Sequence, residues 1–207
     1  MHWQRRTTLM IGIAALLVVL AGGSAWAAGL MPFANRDTTV HGTAYNANTV
    51  APEFTLDAAG NKPVSLSDYH GDVVMLYFGY TYCPDICPTT LATLARARQA
   101  LGPKADKVQV IMITVDPQRD TPDRLNAYVQ KFDPSFIGLS GSLDQIKQVA
   151  SEYGIYFQAQ KPNANGGYAV DHTAAVIAID GQGKQRLLES YGTTSDQFTA
   201  DIKTLLR

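Results

Sequence analysis

The stretch that decides the fold reads VVMLYFGYTYCPDICPTTLATLARARQAL over residues 73–101. Residues 73–78 are a short apolar run rich in β-formers, as a strand buried on both faces requires. A helix is expected over 88–101. Leu91, Leu94 and Leu101 share one face, and Gly102-Pro103 stops it. Cys83 and Cys87 lie in the turn between, at i, i+4 spacing, which puts both sulfurs on one side where the turn is helical. The junction is at a helix N-terminus, where free N–H groups and the dipole favour thiolate over thiol. It also lies at the carboxyl end of a strand, where α/β folds place active groups.

Working outward, residues 108–115 (VQVIMITV) form a second buried strand. Thr121-Pro122-Asp123 combines an N-cap, a proline at the first helical position and an acid in the first turn. The helix it opens carries Leu125, Tyr128, Val129 and Phe132 at i, i+3, i+4, i+7. Ser142 with Gln145 is a capping box, with Ile146, Val149 and Tyr153 inward and Gly154 at the end. Residues 174–179 and 186–191 flank the turn Asp180-Gly181-Gln182-Gly183 as a hairpin. Residues 194–206 close the chain as a helix with Phe198, Ile202 and Leu205 inward. The fold class is therefore α/β, a central mixed sheet flanked by helices on both faces.

The 207 residues divide into three parts. Residues 51–207 are one domain's worth of chain without internal repeats, and residues 34–50 are a polar, aperiodic linker or irregular entry segment. Residues 1–33 carry Arg5 and Arg6 ahead of LMIGIAALLVVL at 9–20, and no charge appears between Arg6 and Arg36. Such a basic start and long apolar run directs export. Ala25-Trp26-Ala27 offers a small-x-small cleavage site. The alternative is a retained transmembrane anchor, for which residues 9–28 supply the roughly 20 residues that span a bilayer. The anchor is the expectation taken here. It places the domain on the periplasmic side of the inner membrane, where thiols oxidise unless something reduces them.

Composition excludes several classes. With 17 basic and 18 acidic side chains the net charge is −1, so this is not a strongly basic nucleic-acid binder. Two cysteines exclude a disulfide-dense scaffold and any four-cysteine metal site. The pair itself admits three readings: a structural disulfide closing a very small loop, a redox dithiol, or a soft metal site with a further ligand. Of the four histidines, His2 precedes the membrane segment, His41 is in the linker and His70 is in a turn. His172, in Asp171-His172-Thr173, immediately precedes the apolar strand 174–179. Two thiolates and one imidazole suit Cu(I), and Cu(II) where another ligand joins, whereas a structural zinc site wants a fourth ligand. Asp116, at the end of the second buried strand, is a turn-initiating acid that also stands at the same sheet edge.

Taken together, four segments resemble the SCO/SenC family, membrane-anchored copper proteins with a thioredoxin-like fold. They are Tyr77-Phe78-Gly79-Tyr80-Thr81-Tyr82-Cys83-Pro84-Asp85-Ile86-Cys87-Pro88, Thr114-Val115-Asp116-Pro117-Gln118-Arg119-Asp120-Thr121-Pro122, Phe132-Asp133-Pro134 with Phe136-Ile137-Gly138-Leu139, and Val170-Asp171-His172-Thr173. The resemblance covers roughly residues 50–207. It implies that Cys83, Cys87 and His172 are copper ligands, that Asp116 is an important acid close by, and that the loop carrying His172 faces the cysteine turn. It implies a metallochaperone that delivers copper, as Cu(I) or Cu(II), to the dinuclear copper site of cytochrome c oxidase subunit II. The alternative is a thiol–disulfide reductase that keeps the cysteines of that site reduced, with Cys83 and Cys87 as the redox pair. A periplasmic copper donor and a thiol reductant are the further partners such a role requires. Thioredoxin-like reductases place two residues between their cysteines and a proline in the facing loop. Here three residues intervene and residues 169–173 contain no proline, which favours metal holding over exchange. A peroxide-reducing enzyme would need a cation to orient the peroxide, and Arg119 is the candidate for it. The Gly/Asn-rich residues 161–167 are expected to be mobile, so that the His172 loop closes on copper.

Overall fold

The computed structural model describes residues 40–207. In chain order the elements begin with β1 (Thr43–Ala44), β2 (Thr55–Ala58), β3 (Lys62–Ser65), β4 (Val73–Gly79) and α1 (Ile86–Ala100). There follow β5 (Val108–Thr114), α2 (Pro122–Val129), β6 (Ile137–Leu139), α3 (Leu143–Glu152) and β7 (Phe157–Ala159). The last are β8 (Val170–His172), β9 (Ala175–Ile179), β10 (Gln185–Ser190) and α4 (Ser195–Leu205). Six strands form one mixed sheet in the order β1-β10-β9-β4-β5-β6. β4 pairs parallel with β5 and antiparallel with β9, and β5 pairs parallel with β6. This is the thioredoxin-like arrangement that the family resemblance implied.

The central strands read as unbroken apolar runs because both faces are covered. Every residue of β4 is buried. Successive side chains of a strand point to opposite faces. Tyr77 reaches Cys87 of α1, while the Phe78 ring lies 5.9 Å from that of Tyr153 at the end of α3. α1 and α3 therefore cover opposite faces. α4 packs beside α1, where the Thr199 hydroxyl donates to the Ala97 carbonyl at 3.3 Å. α2 lies so close to β6 that only glycine fits at 138: a Cβ there would sit 2.7 Å from Leu125 Cγ and 2.8 Å from the Leu125 carbonyl carbon. The expected caps are present. Thr121, Ser142 and Thr194 accept N–H bonds at the starts of α2, α3 and α4, the last two as complete capping boxes.

Three differences from the sequence reading concern short or local elements. α1 begins at Ile86, so Cys87 belongs to its first turn. Residues 40–50 are not a free linker: Thr43 and Ala44 pair with Leu188 and Leu187 of β10. Asp201 accepts N–H bonds from His41 and Gly42, and Thr49 accepts one from Gln185. The polar composition that suggested a linker is that of an exposed edge strand, whose main-chain groups nevertheless find partners. The hairpins β2–β3 and β7–β8 and the three-residue β6 carry too little periodicity to register in the sequence. Within 161–167, Asn163 Oδ1 accepts from the N–H groups of Asn165 and Gly167, both at 3.0 Å, closing a compact turn. No helix among the described residues is long and apolar enough to cross a membrane, and residues 1–33, expected to hold the anchor, lie outside the described residues.

Candidate metal centre

The site forms where β4 hands over to α1. Helices leave their first N–H groups without intrahelical partners, and here one of them is used: the Cys87 N–H donates to Cys83 Sγ at 3.4 Å. The turn that carries Cys83 is held from below by a buried acid. Asp120 accepts the N–H of Thr81 at 2.9 Å and its hydroxyl, and also the Thr114 hydroxyl at 2.9 Å. Both cysteines are free thiols, Cys87 buried and Cys83 half-buried. The Tyr77 hydroxyl donates to Cys87 Sγ at 3.4 Å.

The third component arrives from far along the chain. β8 pairs with β7 and ends at His172, which lies opposite Phe157. The His172 ring stands edge-on to Tyr80 at 5.8 Å and to Tyr77 at 6.3 Å. Its Nε2 lies 3.6 Å from Cys87 Sγ and its Nδ1 lies 3.2 Å from the Thr173 carbonyl oxygen. A carbonyl only accepts, so Nδ1 carries the proton and the Nε2 lone pair faces the sulfurs. The ligand atoms of Cys83, Cys87 and His172 all lie within 4.8 Å of one another, and they are the only such group among the described residues. Two soft sulfurs and one neutral imidazole nitrogen make a donor set suited to Cu(I).

The two thiols differ in proton affinity. Cys83 is lowered to about 5, first by the hydrogen bond from the Cys87 thiol and further by N–H groups of Cys87 and Asp85, against a contrary effect of burial. Cys87 is raised well above the ordinary thiol range, first by its bond to the Cys83 sulfur and then by burial. Of the two, Cys83 is the thiol that gives up its proton more readily.

Asp116 does not join the Cys83, Cys87 and His172 cluster. It is 4% exposed at the end of β5, where its carboxylate pairs with Arg119 and accepts the Tyr168 hydroxyl at 2.9 Å. Arg119, weighed as a peroxide-orienting cation, is committed to Asp116 and to the Tyr168 carbonyl oxygen at 2.9 Å. His41 lies elsewhere, on Asp201 at 3.1 Å. The sequence reading assigned no role to Tyr77 or Asp120. A tyrosine inside an apolar strand and a second acid four residues after Asp116 were the available signals.

Comparison with known proteins bears on the same region. The SCO1/SenC family profile matches residues 42–207. The mitochondrial SCO2 homolog of Bos taurus is 38% identical over 139 residues, covering 66% of this chain and 52% of that protein, so the chain spans about half the length of this relative. The apo Sco1 protein of Thermus thermophilus is 39% identical with a TM-score of 0.75, covering 83% of this chain and 100% of that one. Bradyrhizobium japonicum ScoI, solved with copper bound, is 36% identical with a TM-score of 0.70, covering 76% of this chain and 100% of that one.

Proposed function

The chain belongs to the SCO1/SenC family, and from that premise we propose that it is a copper metallochaperone for cytochrome c oxidase assembly. Cys83, Cys87 and His172 hold the metal, and the recipient is the dinuclear copper site of subunit II. The observation that carries the reading is the convergence of three soft donors within 4.8 Å, with the Nε2 lone pair of His172 facing the sulfurs. The copper-bound relative supports the choice of metal. An anchor over residues 9–28 tethers the domain on the periplasmic face of the inner membrane. There it takes copper from a periplasmic donor after a thiol reductant has opened any Cys83–Cys87 disulfide, since a disulfide supplies no thiolate.

A second reading has its own observation. A half-exposed Cys83 thiolate beside a buried Cys87 thiol is also the arrangement by which dithiol reductases attack and then resolve a mixed disulfide. The two readings part at His172, which exchange does not need. A Cu(I) titration of the reduced chain against a competing chelator, with His172→Ala alongside, tests them. Stoichiometric tight binding that is lost in the variant supports the chaperone. Weak binding, equal in both proteins, transfers the weight to the reductase, whose assay is reduction of an oxidised subunit II peptide.

A further inference from the structure

We infer that Arg119 is the positioning residue that holds His172 over the cysteine pair. The inference rests on the copper reading above and extends it to the group that sets the ligand loop.

His172 ends a two-stranded ribbon, β7–β8, that is not part of the six-stranded sheet. The six-stranded sheet reaches His172 only through β9, which begins at Ala175. Beside the Val170–Tyr80 bond, a second connection runs through a cation whose side chain is 19% exposed. Arg119 Nε pairs with Asp116, and Asp116 is itself rooted at the end of β5, its N–H bonded to the Thr114 hydroxyl at 2.9 Å. Arg119 Nη1 donates to the Tyr168 carbonyl oxygen at 2.9 Å, two residues ahead of β8. The guanidinium carbon stands 3.6 Å from the centre of the Tyr168 ring, 4.5 Å from that of Tyr82 and 5.8 Å from that of Tyr80. Nη2 is buried without a hydrogen-bond partner, so ring faces and charge are what stabilise that end of the group.

Each of these contacts closes a different gap. Tyr82 and Tyr80 belong to the turn that delivers Cys83, and Tyr168 to the segment that delivers His172. The Tyr168 hydroxyl returns to Asp116 at 2.9 Å, and the Tyr80 hydroxyl accepts the Val170 N–H at 3.3 Å while its ring edge supports His172. Removing the planar cation unties both segments at once. A lysine does not replace it, because an ammonium cannot bond Asp116 and the Tyr168 carbonyl in one fork while stacking between rings. Asp116 accordingly acts at the site through Arg119 and Tyr168 without touching a ligand atom.

The test uses the full chain, reduced, as wild type, Arg119→Lys, Tyr168→Phe and His172→Ala. In the metal-free proteins, hydrogen exchange at Val170 and His172 is expected to quicken in Arg119→Lys, and less so in Tyr168→Phe, which keeps the ring and loses only the bond to Asp116. Copper affinity in Arg119→Lys is expected to fall about 10–100-fold, the range for lost outer partners of metal ligands. The nitrogen coupling in the Cu(II) electron paramagnetic resonance spectrum should become heterogeneous, while hydrogen exchange in β4 and β5 is unchanged, a combination that general loosening of the fold would not produce. If His172→Ala binds weakly while Arg119→Lys keeps wild-type affinity, nitrogen coupling and exchange rates, the positioning role is overturned and the copper reading stands. If His172→Ala binds copper as wild type does, the copper reading itself is overturned.

Discussion

Titrating the reduced, metal-free protein with iodoacetamide between about pH 4 and about pH 9 isolates the property on which both functional readings depend, the Cys83 thiolate. Cys83 is lowered from 9.0 to about 5, so near neutrality it is about 99% ionised where an ordinary thiol is about 1%. The gain of about 100-fold in thiolate does not appear as a rate at pH 7. Nucleophilicity falls with pKa at a Brønsted slope of about 0.4–0.5, which over about four units removes roughly 40- to 100-fold. The two effects nearly cancel, and a single rate at neutral pH would mislead. At about pH 5, however, an ordinary thiol is only about 0.01% ionised and Cys83 about half, leaving a net advantage on the order of 50- to 100-fold. The expected profile is a rate at Cys83 that is level from about pH 7 to about pH 9 and halves near the Cys83 value of about 5. Cys87→Ala removes the first cause of the lowering, the bond from the Cys87 thiol, and should move the midpoint up. A rate that climbs log-linearly to pH 8 and above in the wild type would refute the stabilised thiolate. An unmoved midpoint in Cys87→Ala would refute the assigned cause.

Two further outcomes concern stability. Gly138→Ala forces α2 away from β6, since the new Cβ meets the Leu125 backbone at 2.8 Å; a loss of about 1–3 kcal/mol is expected in urea unfolding, and an unchanged midpoint would mean that the two elements part freely. Glu189 is buried beside Asp201 and raised from 4.5 to about 8, first by burial and then by Asp201. The folded state keeps a proton that the unfolded chain has lost, so stability falls as pH rises from about 4.5 and levels off above about 8. Glu189→Gln should flatten that slope, and equal wild-type stability at both ends of the window would remove the proton retained on Glu189 from the account.

What the sequence disclosed and what it hid follow from chain distance. β4, β5 and the capped helices are local: Tyr77 and Phe78, or Ser142 and Gln145, announce their environment through neighbours within a turn or a strand. The cysteine turn is equally local, and its chemistry could be read from spacing and position. His172 is different. It lies 85 residues beyond Cys87, and its contact depends on a two-stranded ribbon and an arginine that lie outside the main sheet. The donor types were visible in the sequence, and their convergence had to come from the family resemblance. Asp120 and Tyr77 were hidden for a related reason. A buried acid bonded to Thr81 and Thr114, or a tyrosine aimed at a sulfur, is specified by tertiary contact and leaves no periodic mark.

The split between the thiols also sets what copper must displace. With Cys83 as thiolate and Cys87 as thiol the reduced cysteine pair carries one negative charge. On the proposed ligand set, Cu(I) on two thiolates and a neutral imidazole also carries one negative charge. Cu(I) therefore exchanges for the Cys87 proton, and a site with one buried sulfur changes occupancy without changing charge, whereas Cu(II) would alter it by one unit. The consequence is quantitative. From about pH 7.5 to about pH 9, where an ordinary imidazole is neutral, Cu(I) affinity should rise about tenfold per pH unit, one proton released per metal. A slope of two would mean that Cys83 is also protonated, against its lowered value. A flat profile would mean that Cys87 is already ionised or does not bind the metal, and either result would undo the exchange of one proton for one copper.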